Sequence, residues 1–244
     1  MCWLQRRTES GKRKKMREKK GAVVGVVGTT GTGKTTTLRK IINRNTNKKF
    51  VVYGAEDSEG QYILGEWQGK RFVHYPTSVN MAEVAVVKRN QIAAAIQKQR
   101  IVICNQPGID ELCQLVVSKC AGVTLVIDEL DACREIRRTV RDLPIHWTRL
   151  ISKGRHISAN GKTGVSLLWA CQKMSRIHQD ILDECKALYL HKLTSEKQRK
   201  RVQEWLEFDT SLDFLHRFQV GECIKTNSLA LQMQDIYNLT DLLP

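Results

Sequence analysis

The chain has 244 residues, a formal net charge of +15 and 41% hydrophobic residues. This apolar content excludes a wholly disordered chain, and no stretch approaches the ~18 consecutive apolar residues of a membrane-spanning helix. The surplus of positive charge favours polyanionic partners, with nucleic acid first and an anionic membrane surface second. We therefore expect one α/β domain with appendages, long enough to bury a substantial core.

Residues 1–20 are a basic arm in which nine Lys and Arg residues face only Glu9 and Glu18. The arm has no apolar periodicity and no signal-peptide core, so we expect it to be disordered when free. It could grip nucleic-acid phosphates or an acidic partner, or be a solvated tail. The eight cysteines contain no C-x-x-C pair, which predicts reduced, buried thiols and no zinc site.

An apolar, β-branched run at residues 22–27 leads directly into GTTGTGKT at 28–35, which matches the phosphate-loop pattern G-x-x-x-x-G-K-[ST]. Glycines let the backbone curl so that N–H groups face an anion, and the helix expected at 36–43 adds positive charge. Lys34 is predicted to reach the β- and γ-phosphates, and the Thr35 hydroxyl to ligate Mg²⁺. The predicted ATP site consists of Gly28, Thr29, Thr30, Gly31, Thr32, Gly33, Lys34, Thr35 and Thr36.

The segments that follow are predicted to alternate between strands and helices. Strands are expected at 49–54, 71–75 and 101–104, with a loop or short helix at 55–70. Apolar residues at roughly helical spacing predict a helix from Ser78 or Asn80 to about residue 100. A further helix is expected at 109–120.

Residues 122–129, GVTLVIDE, predict a buried strand that ends in two carboxylates. Open α/β sheets bind ligands at the carboxyl ends of their strands. In a Walker B element Asp128 would hold Mg²⁺ and Glu129 would activate water. The alternative is the acidic first turn of a helix.

A third apolar strand, 164–171, ends in Gln172, whose amide could orient water near the γ-phosphate or merely begin a loop. Downstream, a strand is expected at 186–191 and a helix from Ser195 to about 206, whose basic residues face either DNA or solvent. A hairpin around Gly221 is expected at 214–226.

Together GTTGTGKT, LVIDE and GVSLLWACQ resemble the FtsK/HerA-type DNA-translocating P-loop ATPases, over about residues 21–206. The resemblance implies a RecA-like α/β fold of the ASCE type, a mostly parallel sheet flanked by helices. It also implies the strand order 5-1-4-3-2, which places Gln172 beside the phosphate loop. Small members without a membrane anchor are most similar to genome-packaging ATPases of tailless, membrane-containing viruses.

The family further implies a homo-oligomeric ring, a pentamer or hexamer, in which an arginine of the neighbouring subunit completes each site. Arg155 of Gly154-Arg155-His156 is the candidate, with Arg149 and Lys162 as rivals, because residues 156–163 look like an insertion. Implied partners are double-stranded DNA and a capsid vertex or viral membrane proteins. The implied location is the cytoplasm, which for a virus means the host cytoplasm and the virion vertex.

The expected function is an ATPase with Mg²⁺ that translocates double-stranded DNA and packages a viral genome. Its catalytic residues would be Lys34, Glu129, Gln172 and the trans Arg155. Alternatives are an ATPase for virus assembly or extrusion, and a small-molecule P-loop kinase. The chain is expected to divide into the arm 1–20, an ATPase core 21–208 and a C-terminal hairpin and tail 209–244.

Overall fold

The computed structural model describes residues 21–53, 64–67, 70–73, 84–104, 106, 108–159, 161–206, 212–227 and 236–238. The predicted basic arm 1–20 lies outside the described residues. Most of the loop or short helix predicted at 55–70 and the first residues of the helix predicted from Ser78 or Asn80 also lie outside them. Residues 64–67 of the first segment are described, and they form a strand instead. No helix in the described part of the chain is long and apolar enough to cross a membrane.

Thirteen strands and six helices make up the regular structure of the described residues. The strands are β1 (Val23–Val27), β2 (Lys49–Tyr53), β3 (Leu64–Trp67), β4 (Lys70–Val73), β5 (Val84–Val87), β6 (Ile101–Cys104), β7 (Val123–Ile127), β8 (Ser158–Ala159), β9 (Lys162–Thr163), β10 (Ser166–Cys171), β11 (Cys185–Leu190), β12 (Glu222–Asn227) and β13 (Ile236–Asn238). The helices are α1 (Lys34–Arg44), α2 (Ile92–Lys98), α3 (Ile109–Lys119), α4 (Ile145–Lys153), α5 (Gln179–Asp183) and α6 (Glu196–Leu206).

Nine of these strands form one sheet in the order β13-β12-β11-β1-β10-β7-β2-β6-β5, while β3-β4 and β8-β9 are separate antiparallel pairs. β12 pairs antiparallel with both of its neighbours, β11 and β13, and all other pairings within the sheet are parallel. The run β11-β1-β10-β7-β2 has the order 5-1-4-3-2 that the family resemblance implied. The predicted α/β fold is therefore confirmed.

The central strands are apolar on both faces because helices cover both sides of the sheet. On one face, Leu38 and Ile42 of α1 pack against a small cluster that includes Phe50. On the other face a larger cluster includes Trp147 of α4 and Trp169 of β10, both fully buried. The seven cysteines of the described residues are buried free thiols, as expected.

The register of three neighbouring strands brings their carboxyl ends together. Val27 of β1 lies opposite Cys171 of β10, and Trp169 lies opposite Ile127 of β7. The residues that follow these strands therefore meet at one border of the sheet. We call this border the carboxyl edge (28–30, 128–131 and 172–173), and the border before the same strands the amino edge (21–22, 121–122 and 164–165).

The helix predicted to run to about residue 100 is wrong over its described first part. Residues 84–87 form β5, which pairs in parallel with β6, and α2 covers only 92–98, after a 3₁₀ turn at Arg89–Gln91. The run Val-Ala-Val-Val is rich in β-branched residues, which favour a strand. The helical spacing seen in the sequence combined residues of two elements.

The hairpin predicted at 214–226 is also wrong. Its first half is a 3₁₀ turn at Asp213–Arg217, and its second half is β12, which pairs with β11 and β13. An apolar run next to a glycine fits a hairpin arm and a buried turn equally well. The division into ranges 1–20, 21–208 and 209–244 remains a prediction.

Candidate active site

The phosphate loop is curled by glycines at positions where other residues do not fit. Gly33 has φ of 105° immediately before α1, a conformation that L-residues with a Cβ rarely adopt. A Cβ on Gly28 would lie 2.6 Å from the Cβ of His191 and 2.7 Å from Oγ1 of Thr32. The loop therefore needs glycine at Gly33 for its backbone conformation and at Gly28 for close packing.

The end of β10 and the segment that follows β11 hold the beginning of the loop. The Gly28 N–H donates to the carbonyl of Cys171 at 3.3 Å, and the Thr29 N–H donates to the carbonyl of Lys192 at 3.0 Å. The Lys34 ammonium donates across the loop to the Thr29 carbonyl at 3.0 Å. These hydrogen bonds tie the beginning of the loop to the segments on both sides of β1 and to Lys34.

Lys34 is only 7% exposed, although it carries a charge. Burial lowers its pKa, while the carboxylates of Asp128, Glu129 and Asp131 and the Cys171 thiol oppose that shift. A buried ammonium facing acidic groups across a curled loop is positioned to meet a polyphosphate.

Thr35 and Asp128 meet as the sequence predicted. The Thr35 hydroxyl donates to Oδ2 of Asp128 at 2.7 Å, across the gap between α1 and the end of β7. A hydroxyl and a carboxylate are oxygen donors of the kind that Mg²⁺ prefers. These two residues therefore fit a magnesium ion bound beside the loop.

Glu129 is the one non-glycine residue of the described part with positive φ, at 59°. This left-handed conformation costs roughly 1–2 kcal/mol for a residue with a Cβ. Its carboxylate Oε1 accepts a hydrogen bond from Nε2 of Gln172 at 2.7 Å. The strained backbone turns the Glu129 carboxylate toward the end of β10.

Gln172 joins the two halves of the site. Its Oε1 accepts a 2.8 Å hydrogen bond from the Thr30 hydroxyl, while its Nε2 donates to Glu129. The hydrogen bonds from Thr30 to Gln172 and from Gln172 to Glu129 therefore connect the phosphate loop to the acidic pair through one side-chain amide. The structure brings together the predicted residues Thr30, Lys34, Thr35, Asp128, Glu129 and Gln172.

Asp131 is a residue of this site that sequence reasoning missed. It is 6% exposed, and its two carboxylate oxygens accept the N–H groups of Gln172 at 3.0 Å and Lys173 at 3.2 Å. Arg137 in turn donates to the carbonyls of Asp131 and Ala132. The only sequence signal was a third acidic residue shortly after the strand 123–127.

His191 is the second missed residue, and it lies beneath the loop. It is fully buried at the end of β11, with Nε2 2.9 Å from the Thr37 hydroxyl. Burial and, secondarily, the charge of Lys34 lower its pKa to about 4. A neutral imidazole thus supports the phosphate loop from below.

Arg155 lies at the amino edge, away from these residues. It is exposed in the turn Gly154–His156 and lines a small cavity with Gly21 and Val165, before β1 and β10. Lys162 packs beside Gly122, which precedes β7. Arg149 lies on α4 and borders a surface groove with α3.

The deciding feature is a glycine-rich loop between a parallel strand and a helix, with Gln172 after the neighbouring strand β10 and Asp128 after the next strand, β7. The fold is that of a P-loop NTPase. No family model and no curated relative matches the sequence.

Solved structures of viral packaging enzymes share this fold. The genome packaging NTPase B204 from Sulfolobus turreted icosahedral virus 2, in complex with sulfate, has a TM-score of 0.60 and 12% identity, covering 90% of this chain and 96% of that chain. Its complex with ATP-gammaS has a TM-score of 0.60 and 13% identity, covering 89% and 95%. B204, the DNA-packaging ATPase from Sulfolobus Turreted Icosahedral Virus, has a TM-score of 0.59 and 9% identity, covering 85% and 92%. The expected resemblance to packaging ATPases is confirmed at the level of the fold.

Proposed function

We propose that the chain is an ATP-hydrolysing motor that translocates double-stranded DNA and packages a viral genome. The observation that carries the proposal is the hydrogen-bond chain Thr30–Gln172–Glu129 beside the pair Thr35–Asp128. It combines a phosphate-binding loop, an oxygen pair for Mg²⁺ and a carboxylate oriented by an amide. The fold shared with B204 adds support, because B204 is described as a DNA-packaging ATPase.

Each residue has a defined part in hydrolysis. The loop 28–35 and Lys34 would bind the β- and γ-phosphates, while Thr35 and Asp128 would hold Mg²⁺, which neutralises phosphate charge. Glu129 would accept a proton from the attacking water. Gln172, hydrogen bonded to Glu129, would orient that water and respond to the loss of the γ-phosphate through Thr30.

The Asp-Glu pair favours water as the acceptor over a small molecule. A small-molecule kinase needs a pocket for its acceptor, whereas Glu129 is bonded to Gln172 at the loop itself. The +15 net charge fits a polyanion such as DNA, held without regard to sequence and with strong salt dependence. A ring of such subunits, with an arginine supplied by the neighbour, would complete the motor.

The test is steady-state ATP hydrolysis by the purified chain, with and without linear double-stranded DNA, at low and moderate salt. We expect DNA to stimulate turnover, the stimulation to fade as salt rises, and Lys34→Ala to abolish turnover. Lys98→Ala, at the exposed end of α2, serves as the matched lysine control. Turnover that requires a small-molecule acceptor, or that ignores DNA at every salt concentration, would overturn the proposal.

A further inference from the structure

Two large hydrophobic side chains in the described part of the chain are strongly exposed, Ile145 at 73% and Val220 at 75%. Ile145 begins α4, where the N–H of its neighbour His146 donates to Asp110 in the first turn of α3, the helix that follows β6. β6 lies four strands from β1 in the sheet order, or about 19 Å. Val220 is instead one residue from Gly221, whose N–H donates to the carbonyl of Thr32 in the phosphate loop at 3.1 Å.

The turn that presents Val220 is closed by its own hydrogen bonds. The Gln219 N–H donates to the Glu222 carboxylate at 2.7 Å, and the Glu222 N–H donates back to the Gln219 carbonyl at 3.2 Å. Gly221 supplies the positive φ, 95°, that this tight turn needs. The exposure of Val220 is thus a property of a defined turn.

The turn also lies against α1, the helix that follows the phosphate loop. Burial raises the pKa of Cys223, at the start of β12, to about 11, while the charge of Lys40 and a side-chain hydrogen bond with Thr37 oppose the shift. Thr37 and Lys40 are residues of α1, and Thr36 beside them is exposed. The turn and the first turns of α1 therefore border one surface.

A bound triphosphate has a direction in this site. Asp128, Glu129 and Gln172, which act on the terminal phosphate in the proposed mechanism, lie after β7 and β10 on one side of β1. The Val220 turn leads into β12, on the other side of β1 beyond β11. With the terminal phosphate near Gln172, the nucleoside end is expected on the opposite side of the loop, toward the surface between α1 and Val220.

We propose that Val220 is the apolar surface on which the base of the bound nucleotide packs. The inference rests on the proposed nucleotide-binding function and adds the contact for the nucleoside. The face of an aromatic base gains by leaving water for an apolar side chain, and each base has such a face. Val220 therefore strengthens binding of ATP and GTP alike without selecting between them.

The experiment is calorimetric binding of ATP, GTP and inorganic tripolyphosphate to the full chain and its variants. Val220→Ser lowers the affinity for ATP and for GTP about five- to tenfold, because these ligands carry a base. Its affinity for tripolyphosphate, which has no base, stays within about twofold of that of the unmodified chain. Val220→Phe, with a larger apolar face, raises the affinity for both nucleotides and again leaves the affinity for tripolyphosphate unchanged. Ile145→Ser is the matched control and changes none of the three.

Three results would overturn the inference. Val220→Ser could leave ATP binding unchanged, it could weaken tripolyphosphate as much as ATP, or the unmodified chain could bind tripolyphosphate as tightly as ATP. None of them depends on DNA. If DNA does not change ATP turnover, the motor is refuted and the base contact still stands. If Val220→Ser binds ATP as tightly as the unmodified chain, the base contact is refuted and the motor still stands.

Discussion

The carboxyl edge and the amino edge of the same three strands carry different chemistry. After β1, β7 and β10, side chains bond to one another, from Thr30 through Gln172 to Glu129. Before the same strands the prominent groups are cations, exposed Arg155 and Lys162. Burial and then the charge of Lys162 lower the pKa of the nearby Lys49. One edge is organised within the chain, and the other presents positive charge outward.

This difference bears on where the predicted arginine finger can act. β1 has five residues, so the two edges are about 16 Å apart. Arg155 borders Gly21 and Val165 at the amino edge and cannot reach the phosphate loop of its own chain. If Arg155 is a finger, it must therefore serve a neighbouring subunit, as the family resemblance implied.

The first prediction concerns Arg155→Ala and has the largest expected effect. Loss of a cation that neutralises transferring phosphoryl charge lowers turnover by about 10³-fold or more, with ATP binding retained. Mixing Arg155→Ala subunits with Lys34→Ala subunits should restore part of the activity, because the second supplies the arginine and the first supplies the loop. ATP turnover of each variant and of the mixture is the measurement.

Arg149→Ala and Lys162→Ala are the matched comparisons for this prediction. If either variant loses turnover and is rescued in the same mixture while Arg155→Ala stays active, the finger is that residue. If no mixture regains activity, the amino edge does not supply a cation to the active site of a neighbouring subunit. The expected difference in function between the two edges would then be wrong.

The second prediction concerns Glu129→Gln at the carboxyl edge. Removing the carboxylate that takes the proton from water should lower turnover by about 10²–10⁴-fold while ATP still binds. Glu135→Gln, an exposed glutamate in the same segment, should retain normal turnover. Steady-state hydrolysis and ATP binding measure the two effects, and full turnover in Glu129→Gln would mean that another group activates water.

Most of the carboxyl edge could be predicted from the sequence because its residues follow short, continuous apolar strands. GTTGTGKT, Asp128-Glu129 and Gln172 each come directly after such a run, and parallel strands align their ends. β5 was missed because Val84–Val87 is a short strand at the border of the sheet, close to a true helix. A short apolar run does not distinguish the two-residue period of a strand from the 3.6-residue period of a helix.

The supporting residues could not be predicted because their role comes from contacts between distant segments. Asp131 bonds to backbone 41 and 42 residues further along the chain, and His191 bonds to Thr37, 154 residues away. An aspartate after a strand or a histidine at a strand end has no pattern that marks it. Only the packing of β1, β7, β10 and β11 brings these groups beneath the loop.

The third prediction concerns Asp131→Asn, which tests how the carboxyl edge is held. The amide group presents an N–H₂ to a backbone N–H, so one hydrogen bond to Gln172 or Lys173 is lost and the other weakens. We expect unfolding free energy to fall by about 2 kcal/mol and kcat to fall about tenfold, with KM unchanged. Thermal unfolding and steady-state kinetics measure both.

Two further variants separate positioning from general destabilisation. Asp142→Asn, at an exposed aspartate, should change neither quantity. In a Gln172→Ala background, Asp131→Asn should still lower stability but should no longer lower kcat, because the amide it positions is gone. Additive losses of kcat in the double variant would contradict the positioning role.

The last prediction concerns pH and His191, and it has the smallest expected effect. The pKa of His191 is lowered to about 4 in the folded chain from 6.5, chiefly by burial. Between these values the unfolded chain binds a proton that the folded chain does not, so stability falls as pH decreases from about 6.5 toward 4. From about pH 7.5 to about pH 5 the loss of unfolding free energy should be about 2 kcal/mol.

Two variants test this pH dependence. His191→Gln keeps a polar group near Thr37 and should remove this part of the pH dependence, while His216→Gln, at an exposed histidine, should retain it. Denaturant unfolding at the two pH values gives the measurement. An equal loss in His191→Gln and in the unmodified chain would show that other groups set the acid sensitivity, and that the imidazole is not held neutral beneath the phosphate loop.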